Sequence, residues 1–168
     1  MKRVFASVVL ALSIQGCVST PENSPISREK LEVKTYTYTN LDGDKVQLWQ
    51  KARNYLASTY NNSNAILRVS DEEEGTLIGK GSFKWKLLDQ FGSPYCLSDY
   101  QIRFIAKDSK ARLQLELLEG VPPLSECLGW PLPSGYGHQQ IMTEFDDISM
   151  GLEKSLRGRG KIESMSDF

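Results

Sequence analysis

A single α+β domain, with one antiparallel sheet of about five strands and two helices on one face, is what the patterning of this chain predicts. Three observations carry that reading. Residues 76–88, 100–107 and 111–118 alternate apolar and polar side chains with the period of half-buried strands. Residues 44–59 and 141–156 instead repeat apolar side chains every three or four positions, the period of an amphipathic helix. The resulting order, β-α-β-β-β-β-α, joins neighbouring strands by hairpins and leaves the helices to cover one side of the sheet. A chain of 168 residues, 40% hydrophobic and 24% charged, has room for one such core.

Each element has a local reason. Residues 32–39 (EVKTYTYT) are β-branched and aromatic, which suits a strand. Asp44 stands where a helix N-cap belongs, and Val46, Leu48, Trp49, Ala52, Tyr55, Leu56 and Thr59 follow on one stripe up to the turn residues Asn61, Asn62 and Ser63. Residues 65–69 and 76–88 read as two strands around the acidic turn Asp71-Glu72-Glu73-Glu74-Gly75. Asp108-Ser109-Lys110 turns the next hairpin, and its register opposes residues whose numbers sum to about 217. A Pro- and Gly-rich loop over residues 120–137 precedes a closing helix marked by Ile141, Phe145, Ile148, Leu152 and Leu156, which Gly151 weakens.

The N-terminus precedes this domain and has a different logic. Lys2 and Arg3 open a positive segment, residues 4–14 form an apolar run too short to span a bilayer, and Ile14-Gln15-Gly16-Cys17 follows directly. These four residues resemble the lipobox of bacterial lipoproteins, although Ile14 and Gln15 depart from its commonest residues. The resemblance implies removal of residues 1–16 and acylation of Cys17 as the first residue of the mature protein. Several acyl chains on one residue anchor stably where a single chain does not. Val18 after the cysteine implies, by the same resemblance, sorting to the outer membrane, with the domain facing the periplasm. Residues 18–30 hold two prolines and three serines and read as a flexible tether, so the folded domain is expected over residues 31–158, with a frayed tail at 159–168. Loss of Lys2 and Arg3 leaves 18 basic against 21 acidic side chains, a balance that calls for no nucleic-acid partner.

The segment from Leu48 to Leu87, with the two strands after it, is similar to a bacterial domain family of unknown function described as having a TBP-like fold. The likeness covers roughly residues 32–158. It rests on Trp49 and Tyr55 in the helix, Asp71 and Glu73 before the turn, and Gly75, Ile78, Gly79 and Gly81 opening the next strand. The resemblance implies a shape and no chemistry.

Few residues suggest catalysis. Gly79-Lys80-Gly81-Ser82 lacks the spacing of a phosphate loop, because three residues and not four separate Gly75 from Gly79 and because Gly81 follows Lys80; these glycines are expected to shape a twisted or bulged strand. The carboxylates of residues 71–74 lack calcium-loop spacing and read as a solvated turn. His138 is the only histidine and has no acidic or cysteine motif beside it. Neither a metal nor a cofactor is called for. Trp49 and Trp85 are expected in the core, whereas the stiff loop around Trp130, followed by Tyr136, is a candidate partner contact. Cys96 and Cys127 remain after lipidation. In an oxidising compartment they are read as a disulfide tying the Trp130 loop to the sheet, with a pair of free buried thiols as the alternative.

These features favour a non-enzymatic, membrane-anchored envelope module that meets a protein partner through a sheet face or the stapled loop. A carrier of a small apolar or lipidic ligand held between sheet and helices is the second reading, and an envelope hydrolase the third.

Overall fold

In the computed structural model, which describes residues 23–60 and 67–159, five strands pair antiparallel in the spatial order β1-β5-β4-β3-β2. They are β1 (Lys34–Tyr38), β2 (Leu67–Asp71), β3 (Thr76–Lys86), β4 (Tyr95–Lys107) and β5 (Lys110–Leu117). Helix α1 (Lys45–Thr59) carries the chain from one edge strand to the other, and α2 (Gly135–Leu156) closes the fold. The predicted α+β order is the observed one.

Local chemistry sets the boundaries. Asp44 and Gln47 form a reciprocal capping box: the Asp44 carboxylate accepts from the Gln47 amide at 2.8 Å, and the Gln47 side chain accepts from the Asp44 amide at 3.2 Å. Gly75, at φ +68°, supplies the left-handed residue that turns β2 into β3. The hairpin between β4 and β5 has the expected register, with Ala106 opposite Ala111 and Tyr100 opposite Leu117. A bulge lies in β2, between Leu67 and Val69 and opposite Ile78 and Gly79, whereas β3, the strand its glycines were expected to bulge, pairs with β4 in unbroken register from Thr76 to Lys86.

Both helices cover the same face of the sheet. Leu77 and Trp85 from β3, Tyr100, Ile102 and Phe104 from β4, and Leu113 and Leu115 from β5 are 0–1% exposed beneath Leu48 and Leu56 of α1 and Ile141, Phe145 and Leu152 of α2. Buried polar atoms in this layer have partners. The Trp85 indole donates to the Ser98 hydroxyl at 3.0 Å, and the Trp49 indole donates to the Thr76 carbonyl at 3.2 Å.

Three boundaries differ from expectation. Strand β4 begins at Tyr95 and not Tyr100, because Cys96 and Ser98 continue the inward ladder and the Trp85 hydrogen bond makes an inward serine acceptable. Helix α2 begins at Gly135 and not near Ile141: the Ser134 hydroxyl caps it by accepting from the Gly137 amide at 3.0 Å, and the Trp85 ring occupies the space a Cβ on Gly137 would need. The supposed tether also packs before Leu31. Ile26 is 6% exposed, its amide donates to the Pro133 carbonyl at 2.9 Å, and the Gly135 amide donates to the Ser24 carbonyl at 3.1 Å, so the folded domain starts near Ser24. The expected signal segment, Cys17 and nearly all of the C-terminal tail lie outside the described residues, as do the first two positions of the predicted second strand.

Candidate functional site: the open sheet face and the stapled end

The sheet face turned away from the helices carries no covering layer among the described residues, and cross-strand register assigns its side chains. Lys80, Lys84 and Lys86 of β3, Arg103 and Lys107 of β4, and Lys110 and Arg112 of β5 share it with only three carboxylates, Asp71, Asp99 and Glu116. All three acids are engaged: Lys80 pairs with Asp99 at 2.6 Å, Arg103 pairs with Glu116 at 3.2 Å, and the Asp71 carboxylate accepts from the Glu74 amide at 2.9 Å. The near-neutral composition therefore conceals a basic face. Composition adds charges over all faces, whereas strand alternation sorts them onto one.

The cations gather at two places. Near the β4–β5 turn, Lys107 stands directly opposite Lys110 and Ile105 opposite Arg112. Together with Thr37 and Ala111 they line a shallow hollow of about 270 Å³ in which three cationic side chains adjoin the exposed Ile105. Like charges placed directly opposite destabilise a sheet, so this juxtaposition works against stability unless an anion occupies it. At the other end of the sheet, the Lys84 ammonium lies 4.3 Å and that of Lys86 6.0 Å from the centre of the Tyr95 ring. A larger polar hollow of about 650 Å³ lies between α1 and β2, lined by Trp49, Gln50, Arg53, Asn54, Ser70 and Glu72.

The remaining sequence candidates fall at that second end. Cys96 and Cys127 are joined by a disulfide with Cα atoms 5.1 Å apart, and the Glu126 amide donates to the Tyr95 carbonyl at 3.3 Å, so residues 125–127 run beside the start of β4. Closing a loop of this length contributes about 3 to 4 kcal/mol in the chain-entropy account. Trp130 is half-buried against the core, and the Tyr136 hydroxyl donates to the Asp89 carboxylate at 3.1 Å. The more exposed apolar groups of this end, Phe91, Leu124 and Leu128, were missed because isolated loop hydrophobics carry no periodicity. His138 is half-buried, and burial followed by the nearby Lys30 and Lys34 ammonium groups disfavours its protonated form.

A family profile described as a domain of unknown function (DUF4468) with TBP-like fold matches residues 35–119, from β1 through β5 and just over half of the chain. The chain belongs to the DUF4468 family. Solved structures extend the likeness over more of the chain. A DUF4468 family protein from Bacteroides ovatus superposes with a TM-score of 0.58 at 15% identity, over 83% of this chain and 94% of its own. A TBP-like protein from Parabacteroides distasonis gives 0.53 at 10% identity, over 79% and 98%. No curated protein matches the chain. At these identities the shared property is the fold, so any role for this DUF4468 domain must be argued from its own surfaces.

Proposed function

We propose that this protein is a lipid-anchored envelope module, without catalytic activity of its own, whose open sheet face holds an acidic protein partner. The anchor is Cys17, read from the signal-like N-terminus, and the proposed location is the periplasmic side of the outer membrane. The observation that carries the binding role is the hollow ringed by Lys107, Lys110 and Arg112, where cross-strand register sets two cations directly opposite. Exposed charges of this kind steer encounter and choose partners more than they add affinity. The interaction should therefore weaken as salt shortens the screening length.

The carrier reading has less support. The described space between sheet and helices is filled by Trp85, Tyr100, Phe104 and Phe145, with the Tyr100 and Phe145 rings meeting edge to face at a centroid distance of 5.1 Å. The larger hollow beside α1 is lined chiefly by polar side chains.

A photo-crosslinking residue at Gln114, on the open face, should trap a discrete acidic protein in the native envelope. Trapping should fail in the K107E/K110E chain and when the crosslinker is moved to the exposed Thr143 on α2. Equal trapping from both faces, or trapping indifferent to charge reversal, would remove the open face from the account.

A further inference from the structure

We propose that the disulfide-stapled end of the domain is a membrane-docking edge that seats on an anionic phospholipid bilayer. Residues 87–94 and 118–134 close the same end of the sheet and expose apolar side chains there: Phe91 is 107% exposed, Leu124 93% and Leu128 81%. A single exposed leucine is ordinary. Three large apolar groups on two loops at one end form a pattern that water does not favour and an interfacial bilayer region does.

The loops are held in advance. Cys96–Cys127 fixes one to β4, and the Ser134 hydroxyl donates to the Leu87 carbonyl at 2.9 Å where the other begins. Little ordering is then required on docking.

The chain also leaves the domain at this end. Ser24 is bonded to Gly135, and Pro25 bridges Ser134. Cys17 lies seven residues further toward the N-terminus, so at most about 25 Å of extended chain separates them. A lipidated Cys17 would hold these loop tips against the membrane, and to that extent the inference rests on the proposed anchor.

Charge agrees with the orientation. Lys84 and Lys86 flank the half-exposed Tyr95 at the docking end. The carboxylates there are engaged within the fold: Glu119 by Arg28 at 2.6 Å, Glu126 by the Tyr95 amide at 3.1 Å and Asp89 by Tyr136. The acidic turn of residues 71–74 lies at the opposite end, away from anionic headgroups.

The test uses residues 18–168 without acyl groups, exported so that the disulfide forms, and mixed with phosphatidylethanolamine–phosphatidylglycerol vesicles. Sedimentation should show binding that falls on the order of 100-fold in F91S/L124S/L128S, whose circular dichroism should be unchanged because the three side chains are exposed. K84E/K86E should weaken binding to these vesicles and not to phosphatidylcholine alone. In F91W, the new indole should shift to the blue on vesicle addition. Absence of vesicle binding by the parent chain, or equal binding by the triple variant, would overturn the proposal while leaving the anchor untouched, since no acyl chain is present. Dimerisation lost in the triple variant, without vesicle binding, would assign the tips to a second copy and equally overturn it.

Discussion

Tyr38 shows at the scale of one residue how position decides chemistry. Its ring is 5% exposed, and its hydroxyl shares a 2.8 Å hydrogen bond with that of Ser149. Burial disfavours the phenolate and pushes its pKa up to about 12, against an ordinary value near 10.0. A folded-state pKa raised in this way contributes stability that is fully present below pH 10 and is lost as pH rises from there through 12. Urea midpoints should therefore decline across that alkaline window, and Tyr38→Phe should decline less steeply while costing about 1 kcal/mol at neutral pH for the lost hydrogen bond. Parallel alkaline profiles for parent and variant would show that Tyr38 is not a source of the slope. That Trp49 and Trp85 lie in the core was legible from their places on an amphipathic helix and an alternating strand. The sequence could not show that Trp85 would select Ser98 and Gly137, because those contacts join separate elements.

Among the elements, α2 shows why propensity alone misleads. Gly151 argues against helix, yet α2 continues through it to Leu156. The space beside Gly151 holds the Tyr55 hydroxyl, which donates to the Ile148 carbonyl at 3.2 Å, and a Cβ there would overlap the phenol. Intrinsic propensity predicts that Gly151→Ala stabilises the helix by about 1 kcal/mol. Overlap with a half-buried ring predicts instead a loss of about 1 to 3 kcal/mol. Urea unfolding should show the loss in the parent chain and its disappearance in a Tyr55→Ala background; stabilisation in the parent chain would show that helix propensity prevails. The same kind of tertiary compensation explains the hidden start of β4, where Ser98 breaks the apolar alternation but satisfies an indole. Strands β3 and β5 and the capped α1 needed no such help and were legible to within about two residues at their ends.

For the molecule as a whole, the architecture positions two surfaces that the linear sequence kept apart. Strand alternation places seven cations on one face that no other described residues cover, and two loops separated by β4 and β5 meet at one end through Cys96 and Cys127. A composition of 20 basic and 21 acidic side chains could not reveal either, because it carries no geometry. The packed segment near Ile26 was hidden for a related reason: one isoleucine among prolines and serines has no period, and its backbone partners lie more than a hundred residues away. In the proposed arrangement the stapled end faces the bilayer, the basic face stands alongside it and the acidic turn of residues 71–74 points outward. The envelope location, and the tethering that would hold this orientation, depend on an anchor at Cys17. The direct measurement is the intact mass of the protein extracted from membranes of its native host, before and after reduction and alkylation. The account predicts residues 17–168 plus acyl groups, with two alkylatable thiols appearing only after reduction. An unacylated chain, or one cleaved elsewhere, would contradict it.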